Sequence, residues 1–285
     1  MRLLRALRTL GTTVAALGLA AAGQLPAHAD TAQPSYYLAL GDSLSQGYQP
    51  GQGNTDQGYV DDVYAGLRLT HPNLQLVKLG CTGETSVTML NGGHCAYAGF
   101  PSQLAAAEDF LSTHQGQVAY LTINIGANDI SACVTPTGVD SSCVPQAMRN
   151  VSTNLPLILS GLDAAAGGRA PVSVGMGTYD PVLAAWLSGP AGQAEAKASV
   201  PLTDAFNTVE AGAYQQAGYL VADVEQVWHT DDFSGAPVPL NVAEICGLTY
   251  MCTEQNLHPN PVGYAAIAAE FLHTIATAPQ EGTGS

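Results

Sequence analysis

Ser43 stands in Gly41-Asp42-Ser43, directly after the apolar run Tyr36–Leu40, and His258 stands in "NLHPNPVGY", just ahead of a proline-led helical stretch. A serine hydroxyl becomes a nucleophile when a base takes its proton, and imidazole is the side chain whose unperturbed pKa lies near neutrality. The pair would support attack on a carbonyl carbon through a covalent acyl intermediate. Such an attack places negative charge on the carbonyl oxygen. Gly83 in "LGCTGETS" and Asn128 in "NIGANDI" each follow a further apolar run, and they offer a backbone N–H and a side-chain amide to meet that charge. Each stretch also has a plain reading by itself: Gly41-Asp42-Ser43 and Gly83 as turns, and Asn128-Asp129 as a helix N-terminus. His71, His94, His114, His229 and His273 have no comparable setting and read as surface or loop residues.

The elements that would have to position these residues recur in a regular order. Strand-like runs fall at Tyr36–Leu40, Leu74–Gly80, Val118–Gly126, Pro171–Tyr179 and Gly218–Val224. Helix candidates fall at Tyr59–Leu69, Ser102–Thr113, Val144–Ala165, Gly192–Ala217 and Pro261–Ala276. This alternation calls for a parallel sheet of about five strands with helices on both faces. Ser102 is placed as an N-cap before "QLAAAEDFL", and Pro261 suits the first turn of the last helix. Ligand sites in open parallel sheets form beyond the carboxyl ends of the strands, where Gly41-Asp42-Ser43 falls.

Residues 1–29 read as a secretory signal peptide: Arg2, Arg5 and Arg8 precede the apolar run Leu10–Leu25, which closes on Ala27-His28-Ala29. Residues 30–285 then form one domain, expected to be secreted. Three of the eight basic residues and none of the 23 acidic ones lie in the leader, so its removal takes the formal charge from −15 to −18. Such a surface repels nucleic acid and anionic headgroups, and no stable membrane anchor remains. The six cysteines fall as close pairs: Cys81 with Cys95, Cys133 with Cys143, Cys246 with Cys252. Outside the cytoplasm this suggests disulfides between neighbours; a zinc site is weaker, since no CxxC pair occurs.

The stretches "GDSLSQGY", "GCTGET", "GAND" and "HPNPVGY", in that order, resemble the SGNH hydrolases, also called the GDSL esterase and lipase family. "GETSVTMLNGGHC" and "GMGTYDPVLAAWL" further look like a secreted actinobacterial branch with three short disulfides. The resemblance covers most of residues 30–285 and implies an α/β three-layer sandwich of the flavodoxin-like type. It also implies a monomeric carboxylic-ester hydrolase, an esterase or lipase with no metal or organic cofactor, acting on small-molecule or lipid esters. Ser43 would be the nucleophile, His258 the base, and the Ser43 and Gly83 N–H groups with the Asn128 amide the oxyanion hole. Family members commonly carry Asp three residues before the histidine, but Gln255 stands there. The expectation is therefore a Ser43–His258 dyad whose ring is oriented by the Gln255 main-chain carbonyl, with Glu254, Asp223, Asp231 or Asp232 as alternatives. Its base should titrate at or somewhat below about 6.5. Polysaccharide acetyl esters, phospholipids and thioesters all stay open as substrates. A noncatalytic binding module is the rival class. A flavodoxin-like cofactor binder is disfavoured by Asp42 and by the lack of a Gly-rich phosphate loop.

Overall fold

The structure, a computed structural model, describes residues 35–135, 138–167 and 171–278. The leader at residues 1–29 lies outside the described residues. Five parallel strands form the central sheet: β1 (Ser35–Gly41), β2 (Leu74–Lys78), β3 (Val118–Asn124), β6 (Val172–Met176) and β7 (Leu220–Ala222), in the order β2-β1-β3-β6-β7. A two-stranded ribbon, β4 (Val134–Thr135) with β5 (Gly138–Val139), follows β3. Each central strand is an apolar run because helices cover both faces, as parallel sheets require. On β1, Tyr37 and Ala39 point into one core and Leu38 and Leu40 into the other.

The first core lies under α1 (Tyr59–Leu67) and α10 (Pro261–Ala276), where the Tyr59 and Phe271 rings stack at 4.8 Å. The second lies under α3 (Gln103–Thr113) and α5 (Val144–Ala166), whose Leu155, Ile158, Leu159 and Leu162 are fully covered. Ser102 caps α3 as expected, its Oγ accepting from the Ala105 N–H at 3.1 Å. Ahead of Pro261, the Asn260 Oδ1 accepts from the N–H groups of Val262 and Gly263. The strands and the longer helices fall where the sequence places them. The short helix α4 (Ala127–Ser131) carries Asn128-Asp129 in its first turn, the plain reading of that stretch; α2 (Ser86–Asn91), α7 (Val224–Val227), α8 (Leu240–Leu248) and α9 (Met251–Glu254) are not legible in the sequence, nor is the 3₁₀ segment Pro181–Ser188. The long helix α6 (Pro190–Gln216) precedes β7. No helix among the described residues is long and apolar enough to cross a membrane.

The cysteines pair as neighbours, Cys81–Cys95, Cys133–Cys143 and Cys246–Cys252, over sequence separations of 14, 10 and 6. Closing loops of this size contributes about 2–3 kcal/mol each through the entropy of the unfolded chain. Full reduction should therefore lower the thermal unfolding midpoint by at least about 10 °C. Activity should fall in parallel, because the Cys81–Cys95 loop carries Gly83. A calorimetric midpoint unmoved by a phosphine reductant, with thiol titration confirming reduction, would contradict this.

Candidate active site

The turn after β1 is held by side chains acting as backbone partners. Gly41 has a φ of 136°, and a Cβ there would run into the side chain and carbonyl of Asn124. Its N–H donates to Gln103 Oε1 at 2.7 Å, and its carbonyl accepts from Gln103 Nε2 at 3.0 Å. The carboxamide thus reproduces the donor–acceptor pair of a neighbouring strand. Asp42 is buried beneath the turn: its Oδ1 accepts from the Leu44 N–H at 2.9 Å and from Asn124 Nδ2 at 2.6 Å, and its Oδ2 accepts from Asn128 Nδ2 at 3.2 Å. Tyr59 fixes Asn124 from the other side, its hydroxyl donating to Asn124 Oδ1 at 2.8 Å. Asp42 therefore braces the turn and leaves Ser43 alone facing the histidine.

Ser43 Oγ lies 2.8 Å from His258 Nε2. On the far side of the ring, Nδ1 lies 2.7 Å from Asn256 Oδ1, and the His258 backbone N–H reaches the same oxygen at 3.0 Å. That backbone contact fixes the chemistry of the ring. A peptide N–H only donates, so the carboxamide atom facing it is oxygen; Nδ1, which meets that same oxygen, must carry a hydrogen; and Nε2 is left with the lone pair that accepts the serine proton.

Asn128 Nδ2 donates to the Glu84 carbonyl at 2.9 Å as well as to Asp42. It thus joins the residue beside Ser43 to the residue beside Gly83. Among the described residues, the N–H groups of Ser43 and Gly83 have no acceptor in the protein. Gly83 has a φ of 85°, and a Cβ there would press on the His94 ring. Both hydrogens of the Asn128 amide are in use, and the 3.2 Å contact to Asp42 is the longer of the two. Donating to an oxyanion would mean sharing or releasing that contact.

The structure corrects the expected partner of the imidazole. Gln255 ends α9 in the left-handed region with a φ of 51°, its side chain is exposed, and its carbonyl makes no hydrogen bond to the ring. The chain leaves the helix there, and Asn256 folds its carboxamide back over the next turn, so the side chain one residue later takes the place in front of Nδ1. None of the four candidate acids bonds the ring either. Glu254 is exposed in α9. Asp223, Asp231 and Asp232 line a groove of about 710 Å³, with Asp204 and Glu225, whose lining includes neither Ser43 nor His258. Asn256 had a legible signal, since Asn commonly bonds the backbone N–H two residues on. Gln103, Asn124 and the buried Glu210 had none, because they act across long sequence separations.

Burial dominates the electrostatics. It lowers the His258 pKa to about 4, further below the ordinary value than the sequence suggests. It raises Asp42 and Asp180 to about 6 each, Glu225 to about 7, and Glu210 well above the carboxylate range. Glu210 sits against Gly126 and lines a small cavity with Asp42 and Asn124, and its Oε2 is unpartnered. For these carboxyls the folded state holds the proton more tightly than an unfolded chain titrating near 4, so stability falls as pH rises from about 4 through 6–7. Asp42 alone accounts for about 3 kcal/mol. His258 acts in the opposite sense: its unfolded form binds a proton below about 6.5 and its folded form only below about 4. Several carboxyls oppose one imidazole, so the unfolding midpoint should be more than about 5 °C higher at pH 5 than at pH 8. The difference should persist in about 0.5 M salt, which screens surface charge but not buried groups. A midpoint equal at the two pH values, or higher at pH 8, would contradict the buried carboxyls.

Residues 39–266 match the GDSL-like Lipase/Acylhydrolase family. The fold is similar to that of a lipase, Lip_vut3, from a goat rumen metagenome, at 16% identity and a TM-score of 0.54, covering 84% of this chain and 97% of that one. It is likewise similar to Axe2, an acetylxylan esterase from Geobacillus stearothermophilus, at 17% identity and a TM-score of 0.52, covering 85% and 94%. No curated protein matches the chain significantly. The chain belongs to the GDSL-like lipase/acylhydrolase family. It is a carboxylic ester hydrolase on the three-layer α/β fold.

Proposed function

We propose that the protein is a secreted serine esterase that works through an acyl-enzyme on Ser43, with His258 as general base and Asn256 as the residue that orients the base. The observation that carries this reading is the 2.8 Å contact between Ser43 Oγ and an imidazole Nε2 whose tautomer makes it the acceptor. As Oγ bonds the acyl carbon, its proton passes to Nε2, and the carbonyl oxygen becomes an alkoxide met by the N–H groups of Ser43 and Gly83 and by Asn128. Nε2 then gives the proton to the departing alcohol, and water repeats the sequence to release the acid. Asn256 supplies no full charge. The base is consequently weak but free at any pH above about 4, and esterase activity should hold its plateau down to about pH 5.

The three disulfides and the leader sequence support an oxidising, extracytoplasmic destination. The acyl group stays open among simple esters, glycerides, phospholipids and acetylated polysaccharides; Axe2, for its part, is an acetylxylan esterase. A fluorophosphonate probe followed by peptide mapping tests the nucleophile: the adduct is expected on Ser43. A chain-length series of p-nitrophenyl esters, run beside acetylated xylan and a phospholipid, would rank the substrates. No adduct and no hydrolysis by folded protein would leave a noncatalytic binding module.

A further inference from the structure

We infer that Tyr48 is a positioning residue for the base, its ring face stabilising the imidazolium that His258 becomes in the transition state. This rests on the Ser43–His258 reading. The centroids of the Tyr48 and His258 rings lie 4.4 Å apart, with the planes tilted by 39°. That distance is within the roughly 6 Å over which the negative face of an aromatic ring attracts a cation.

The need for such a contact follows from the ring's other neighbours. When Nε2 takes the serine proton, the ring gains a full positive charge in a partly buried place. Its only other side-chain hydrogen-bond partner among the described residues is the neutral carboxamide of Asn256, and no carboxylate bonds it. Burial alone displaces its titration, with no charged neighbour acting on it. Beyond the Asn256 Oδ1 that meets Nδ1, the Tyr48 ring is a further source of negative potential beside the forming charge.

The backbone around Tyr48 is arranged to hold the ring there. The Tyr48 N–H donates to the Ser43 carbonyl at 3.1 Å, which ties the aromatic residue to the nucleophile's own turn. The Tyr48 carbonyl accepts from the Tyr264 hydroxyl at 3.0 Å, which ties it to the helix that follows His258. Tyr48 is thus fixed to the segments that carry both reacting residues. Its hydroxyl has no hydrogen-bond partner among the described residues, so the ring itself is the part in use.

The test is a series at position 48 that changes the ring's electrostatics and little else. Tyr48→Phe should keep kcat within about twofold, since the face is retained. Incorporation of 4-fluoro-, 3,5-difluoro- and pentafluorophenylalanine in its place drains the face stepwise. kcat should fall in that order by about 3- to 30-fold in all, with KM and the unfolding midpoint unchanged, because the cation exists only in the transition state. Tyr48→Leu should fall at or below the end of the series. A flat fluorination series, or one that moves only KM, would overturn the inference and leave Tyr48 a packing residue. Ser43→Ala is run in parallel: if that variant kept full esterase activity, the underlying nucleophile assignment would fail instead, whatever the series showed.

Discussion

Ser43→Ala should lower kcat/KM toward an activated ester by about 10⁴-fold or more, and His258→Ala should do nearly as much. The two side chains share one proton at a 2.8 Å contact, so removing either removes the function of both. The double variant should accordingly be no worse than Ser43→Ala, a non-additivity that independent contributions would not produce. Folding should survive. Ser43 is 6% exposed and among the described residues its side chain bonds only His258, while Asp42, Asn124 and Gln103 hold the turn without it. Residual hydrolysis would come from the N–H groups of Ser43 and Gly83, which the alanine variant retains. A Ser43→Ala protein that hydrolysed esters at more than about a hundredth of the parent rate would place the nucleophile elsewhere.

Asn256→Ala should cost about 30- to 300-fold in kcat, as expected for losing a hydrogen bond that becomes charge-assisted when the ring is protonated. Gln255→Ala should stay within about twofold, because that side chain is exposed and makes no contact with the ring. Asn256→Asp is the more informative change. A carboxylate against Nδ1 favours the protonated ring, so the base should move up from about 4 toward neutrality. Below that value the ring is protonated and cannot accept from Ser43. The variant should therefore lose activity between pH 7 and 5, where the parent is flat, and match or exceed it above pH 8. Rate profiles from pH 4 to 9 decide the matter. Parent-like activity in Asn256→Ala, or a thousandfold loss in Glu254→Gln, Asp223→Asn, Asp231→Asn or Asp232→Asn, would return the orienting role to another group.

What was legible beforehand divides by range. The central strands were visible because burial on both faces makes each a nearly continuous apolar run, and the helix starts at Ser102 and Pro261 because such signals are local. α2 was not, although its start is capped locally, Thr85 Oγ1 accepting from the Thr88 N–H at 3.1 Å: six residues are too few for an apolar period to show, and Asp129 adds bonds from 43 residues away, accepting from the N–H and hydroxyl of Ser86 at 2.7 and 2.8 Å. Ser43, Gly83 and Asn128 could be singled out as residues that follow strands and His258 as the imidazole ahead of the last helix, and all four are tied together through Asp42, Glu84 and the serine–histidine contact. The ring's partner was misplaced by one residue, because the end of α9 depends on a left-handed Gln255 that no local pattern announces. The depth of the imidazole, which sets its low pKa, is a property of packing by residues far away in the chain.

The clamp of Gln103 on Gly41 also bears on redesign. Between Cys95, tied to Cys81, and Gln103, tied to the nucleophile's turn, the chain is pinned once more where Tyr97 donates to the Leu79 carbonyl at 3.0 Å. Ala98 and Gly99 form an exposed turn between these fixed points, with Gly99 at a φ of 86°. Length can be varied at that turn, with glycine kept at its positive φ and the Phe100 N–H to Tyr97 carbonyl bond opened, while Cys95 and Gln103 stay anchored. A library spliced between Ala98 and Gly99 would thus explore new surface close to the residues flanking Gly83 without disturbing the atoms that react, whereas an insertion two residues earlier would pull on Tyr97 and through it on the floor of the site.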